Sequence, residues 1–218
     1  MKDQRMRPAL LILLFLLPLP LGASGTQKAG DFGYYVMALS WSPTWCALTG
    51  DARDAAQCDP GADHGWILHG LWPQTHRGWP EYCETTHQAP SPSMNRAMAD
   101  IMGSAGLARY QWEKHGTCSG LSPGRYHALA RTAYKRVTRP EKLRNLSAPT
   151  RLPATSVEQA FLDANPEWRP DMLTITCRAG RIQDARLCLG PDLDPVACST
   201  DVAAKECRAT DALMAPIR

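Results

Sequence analysis

Apolar positions along this chain recur with two periods, and the switch between them marks its elements. Tyr34–Trp41 (YYVMALSW) is aromatic and β-branched at its start and closed by Pro43, which predicts a strand. Residues 66–69 predict a second, short strand stopped by Gly70 and Pro73, and residues 74–92, rich in proline and polar side chains, predict an ordered loop. Helical spacing follows. Met94, Ala97, Met98, Ile101 and Met102 predict a helix over 93–105 with Ser93 as its N-cap. Residues 107–115 predict a second helix ended by Gly116, and residues 126–137 a third ended before Pro140. Residues 138–153 predict an exposed loop and residues 157–164 a short helix stopped by Pro166. The strand period returns over 172–178 and 181–189, around the turn Ala179-Gly180. Strands at both ends with helices between them predict an α+β domain, a central antiparallel sheet with several helices packed against it.

The N-terminus follows neither period. Lys2, Arg5 and Arg7 form a basic start, residues 9–17 are unbroken apolar, and Pro18 and Pro20 precede small residues from Gly22 to Gly25. A membrane span needs about 20 apolar residues, so this run reads as a secretory signal cut near Ala23. The expectation is a signal over residues 1–23 and one domain over 24–218, secreted or periplasmic and off the membrane. Without residues 1–23 the net charge falls from +3 to +1, with 21 basic and 20 acidic side chains. That balance excludes holding nucleic acid by bulk charge. Any RNA site must be local.

Eight cysteines remain: Cys46, Cys58, Cys83, Cys118, Cys177, Cys188, Cys198 and Cys207. An even count behind an export signal predicts four disulfides, with about 105 pairings open. No C-x-x-C pair is present, which disfavours a zinc site.

Two segments hold the chemistry. In WILHGLWPQ (residues 66–74), His69 ends a predicted strand and Gly70 lets a ligand approach the backbone. On its own His69 reads equally as a structural histidine. In YQWEKHGTC (residues 110–118), Gln111 and His115 are i and i+4 on a predicted helix, with Lys114 alongside. A lysine beside a histidine disfavours the imidazolium, an arrangement that suits an anion such as phosphate between them. The remaining histidines have plainer readings. His64 lacks a third ligand for a metal, His76 and His87 lie in a loop, and His127 reads as surface or packing. Trp41, Trp45, Trp112 and Trp168 read as framework, the basic run over 131–144 as a solvated helix face, and Asn145-Leu146-Ser147 matches a glycosylation sequon.

Both segments resemble the active-site signatures of the ribonuclease T2 family. Leu68-His69-Gly70-Leu71-Trp72-Pro73 stands where the family usually has Ile-His-Gly-Leu-Trp-Pro. Residues 110–118 stand where it usually has His-Glu-Trp-x-Lys-His-Gly-Thr-Cys. SWSPTWC near the start and TITCRAGRIQDARLCL near the end resemble the family's first strand and late hairpin.

The resemblance implies endonucleolytic cleavage of single-stranded RNA, not DNA, by a monomer without metal or cofactor. The ribose 2′-OH attacks its own phosphorus, giving a 2′,3′-cyclic phosphate and then a 3′-phosphate. By motif position, His115 would be the base, His69 the acid, and Lys114 would stabilise charge on the phosphorane. Trp72 would pack beside ribose and base, Trp79 would stack a base, and Gln74 would read a base edge. Implied pairings are Cys46–Cys58, Cys83–Cys118, Cys177–Cys207 and Cys188–Cys198. Two positions depart: Tyr110 replaces the family histidine and Gln111 the glutamate. An amide keeps hydrogen bonds but not charge, and Glu113, two residues along a helix, points elsewhere. Weakened catalysis or a shifted pH optimum is therefore expected, and an RNA-binding or effector protein on the same scaffold is the alternative. A metal-dependent phosphodiesterase ranks third.

Overall fold

The computed structural model describes residues 28–144 and 146–218. The predicted signal segment and Asn145 of the sequon lie outside the described residues. Six strands are present among the described residues: β1 (Tyr34–Trp41), β2 (Trp66–Gln74), β3 (Thr150–Leu152), β4 (Leu173–Arg178), β5 (Arg181–Leu189) and β6 (Ala212–Met214). They form one sheet in the order β2-β1-β5-β6-β3, with β4 on β5. All pairs are antiparallel except the single parallel contact of β5 with β6. The helices are α1 (Ser42–Trp45), α2 (Pro92–Arg96), α3 (Ala99–Met102), α4 (Ala105–Lys114), α5 (Pro123–Arg136), α6 (Glu141–Arg144), α7 (Ala154–Ala164) and α8 (Thr200–Ala203). The protein is α+β, as its alternating and helical periods predict. Among the described residues no helix is long and apolar enough to cross a membrane.

Strand alternation sorts side chains to two faces. Tyr35, Met37, Leu39 and Trp41 of β1 enter the main core with Ala185, Leu187 and Leu189 of β5. Trp112 of α4, Tyr126 and Ala130 of α5, and Val157 and Phe161 of α7 cover them. Each such large side chain, fully buried, contributes about 1.5–3 kcal/mol. The other face carries Val36, Ser40, Asp184, Arg186 and Cys188, and it is the face that bears the site.

Several local expectations need correction. β2 does not stop at Gly70 but runs to Gln74. It is the edge strand, so Pro73 can lack a donor without breaking a ladder. Its register slips at one point: Ala38 pairs with Gly70 and Leu39 with Leu68, leaving His69 as the bulged residue. The extra residue lets Leu68 and Leu71, an odd number apart, both enter the core. The helix expected over 93–105 is two short ones, α2 and α3, and its cap is Ser91, which accepts from the Met94 N–H at 3.3 Å, rather than Ser93. α4 begins at Ala105, capped by Ser104 accepting from the Leu107 N–H at 3.1 Å. The expected loop over 138–153 contains α6 and β3, whose formation depends on pairing with distant β6. His127 is buried against Tyr126, so its role is packing. The disulfides are Cys46–Cys58, Cys83–Cys118, Cys177–Cys207 and Cys188–Cys198.

Candidate active site

A cleft of about 420 Å³ opens on the polar face, within the size range of small-ligand sites. His69, Trp72 and Gln74 reach it from β2, Trp79 from the following loop, and Tyr110, Gln111, Lys114 and His115 from the C-terminal half of α4 and its cap. All eight candidate residues stand on one cleft. Two fasteners bring the segments together. The Tyr126 hydroxyl of α5 donates to the Leu71 carbonyl at 2.7 Å, fixing β2, and Cys83–Cys118 ties the loop after β2 to the turn after His115. The loop is held again where the Tyr82 N–H donates to the Lys114 carbonyl at 2.8 Å.

Trp72 contacts both imidazoles. Its ring lies 5.3 Å from His69, edge to face, and 5.3 Å from His115, tilted by 31°. The indole is held by its N–H, which donates to Gln111 Oε1 at 2.7 Å. Gly70 is required below this bond, because a Cβ there would collide with Gln111 Oε1 and Trp72 Nε1. Trp72 is also flanked by the Arg186 guanidinium, 5.5 Å from the ring centre.

The two histidines occupy different electrostatic settings. His115 is buried, and burial, then the charge of Lys114, then His69 push its pKa down to about 3. It is a neutral imidazole at ordinary pH, with Nδ1 buried and without a hydrogen-bond partner among the described residues. His69 instead meets a carboxylate system. The Ser40 hydroxyl donates to Asp184 Oδ1 at 2.5 Å and lies 3.1 Å from His69 Nδ1, and Asp184 Oδ1 is 3.9 Å from that nitrogen. Burial pushes the Asp184 carboxyl up, but the hydrogen bond and charge of His69, the Ser40 bond and Arg186 outweigh it, and its pKa lies below the usual range. An ionised carboxylate only accepts, so Ser40 gives it its single proton. His69 Nδ1 must then bring a proton to Ser40, which directs Nε2 to the cleft. Lys114 is paired with Glu81 at 3.0 Å, and this bond raises its pKa.

Residues 32–161 match the profile of the ribonuclease T2 family, more than half of the chain. The chain belongs to the ribonuclease T2 family. A "Ribonuclease" of Aeromonas hydrophila is 46% identical over 124 residues, covering 56% of this chain and 55% of that protein. A "Probable ribonuclease" of Haemophilus influenzae is 30% identical over 130 residues, covering 54% and 48%. The chain thus spans about half the length of these curated relatives. The crystal structure of RNase NT in complex with 5′-AMP superposes with a TM-score of 0.66 at 20% identity, over 86% of this chain and all of the other. That likeness carries the fold.

For a ribonuclease T2 family member, the departures at 110 and 111 acquire a physical meaning. Gln111 uses its amide oxygen to hold Trp72, a task any acceptor performs, while bringing no negative charge near His115. Glu113 is turned to Arg109 at 3.0 Å. Asp184, Ser40, Arg186 and Lys205 are not singled out by sequence reasoning, yet Asp184 and Ser40 contact His69, and Arg186 and Lys205 line the cleft. The one sequence signal for Asp184 is an acidic residue inside an otherwise strand-forming segment. Asp201 of α8 braces the Trp79 loop, accepting from the Gly78 N–H at 2.7 Å.

Proposed function

We propose that this protein is an exported endoribonuclease that cleaves single-stranded RNA by metal-independent transphosphorylation. The observation that carries the reading is the unlike setting of two imidazoles on one cleft, both in contact with Trp72. His115 is buried beside a lysine, whereas His69 meets a buried carboxylate through Ser40, and this contrast divides the base and acid roles between them. His115, kept neutral by burial and Lys114, takes the proton of the ribose 2′-OH. The 2′-oxygen bonds to phosphorus and the bond to the 5′-oxygen breaks. His69 gives an Nε2 proton to that 5′-oxygen, while Ser40 and Asp184 hold Nδ1. The products are a 2′,3′-cyclic phosphate and a free 5′-hydroxyl, and water then opens the ring to a 3′-phosphate. Lys114 supplies charge to the phosphorane. Its bond to Glu81 lies at a partly exposed rim, where such pairs are weak enough for phosphate to displace. Trp72 packs beside the ribose, Trp79 stacks a base, and Gln74 and Tyr110 complete the substrate contacts. Four disulfides fit an oxidising compartment, the periplasm or the medium.

The deciding experiment is product analysis of a defined oligoribonucleotide incubated in excess chelator. Cyclic-phosphate ends, with loss of cleavage in both His69→Ala and His115→Ala, are expected. Activity that survives both substitutions, or that needs zinc or magnesium, overturns the reading. The missing carboxylate at Gln111 favours one other reading, an RNA-binding protein without turnover. Binding of RNA with no cleavage, and no gain on Gln111→Glu, would establish it.

A further inference from the structure

Large apolar side chains exposed among the described residues are Trp79, Tyr82 and Tyr110, at 46%, 59% and 44% exposure. They converge on one rim. Trp79 and Tyr110 line the cleft, and the Tyr82 side chain is hydrogen-bonded to that of Tyr110. The Tyr82 backbone is in the left-handed region, at φ +53°. A bulky residue there is conformationally costly, and glycine or asparagine would suit the chain better. The ring does not repay that cost by burial, since it is the most exposed of the three. The backbone around it is nevertheless held on both sides, by the Tyr82 N–H donating to Lys114 and by Cys83–Cys118. A strained, exposed aromatic held rigidly at the mouth of a site is the kind of outlier that marks a functional contact.

We propose that Tyr82, supported by Tyr110, forms a stacking ledge for a nucleotide outside the scissile pair, so that the RNA site extends beyond the catalytic cleft. The inference rests on the ribonuclease reading above. The ledge is continuous with the cleft through Tyr110, and a nucleobase is the occupant that chemistry favours. Every base offers a face to an aromatic ring without regard to sequence, and a strand leaving the cleft over Tyr110 would next meet Tyr82.

The test compares a dinucleotide with a single-stranded oligoribonucleotide several residues longer, on the full chain and on Tyr82→Gly. The expected result is unchanged kcat/KM on the dinucleotide and a KM about five- to tenfold higher on the longer strand, the low end of what one stacked base contributes. Tyr82→Trp should keep the wild-type KM. Thermal unfolding of Tyr82→Gly should be unchanged or shifted upward, because the left-handed position is relieved. Equal KM on the longer strand for wild type and Tyr82→Gly overturns the ledge while leaving the ribonuclease reading intact. A lowered unfolding temperature with parallel losses on both substrates overturns it as well, by making Tyr82 structural. Absence of cleavage by the unmodified chain on either substrate refutes the ribonuclease reading itself.

Discussion

Replacing Asp184 with asparagine isolates the carboxylate behind His69. The side chain keeps its size and its Ser40 contact, so what is removed is the charge. Asp184 is 1% exposed and its Oδ1 lies 3.9 Å from His69 Nδ1. Opposite unit charges at that distance attract by about 4 kcal/mol at an effective dielectric near 20. The His69 side chain is 35% exposed, and solvent screening brings the useful part to about 1–2 kcal/mol. Converted to rate, Asp184→Asn should lose about five- to thirtyfold in kcat/KM on a defined dinucleotide. The loss should fall on kcat rather than KM, because the carboxylate touches the ring through Ser40 and not the substrate. A nitrogen NMR spectrum of the neutral ring should change in parallel. The Nδ1–H form holds in the wild type, and a mixture of tautomers appears once the amide can offer Ser40 a donor. Thermal unfolding checks that the buried amide is tolerated. An unchanged kcat together with an unchanged tautomer would refute the assignment of Asp184 as a positioning residue.

Further outcomes follow from the same geometry. His115 takes a proton near pH 6.5 when unfolded and only near 3 when folded. The unfolded chain therefore binds more protons between those values, and stability falls as pH drops through that window, by on the order of 1 kcal/mol per unit. Urea unfolding of His115→Asn should show a flatter slope with pH than the wild type, and identical slopes would contradict the buried neutral imidazole. Gly70→Ala drives a methyl into the Trp72–Gln111 hydrogen bond. It should cost about 1–3 kcal/mol in unfolding free energy and at least tenfold in activity, measured together, and full activity would show that Trp72 can move without consequence. Removing Cys83–Cys118 by double alanine substitution opens a 35-residue loop and should cost about 3–4 kcal/mol. Activity assayed well below the unfolding temperature should also fall, whereas removing Cys46–Cys58, away from the cleft, should lower stability without lowering kcat.

Local pattern was enough to read β1, the β4–β5 hairpin and the cores of α4, α5 and α7, because each expresses its own period within a few residues. The eight candidate site residues were legible for a related reason: they are clustered in or beside two short segments, where spacing and residue type speak without knowledge of the fold. Other features depend on partners far along the chain. β2 continues through Gly70 and Pro73 because it is an edge strand with a bulge at His69, and an edge is a property of the assembled sheet. β3 exists only through its pairing with β6, some 60 residues on. Ser40 meets Asp184 because β1 and β5 adopt one register, in which these two residues are directly opposed across 144 positions of sequence. A shift by one residue would turn the carboxylate to the other face. Residue types and their local periods thus determined which side chains this protein offers to the cleft. Tertiary structure alone decided their surroundings, because the burial of His115 and the Ser40–Asp184 contact of His69 come from residues that the chain brings together only by folding.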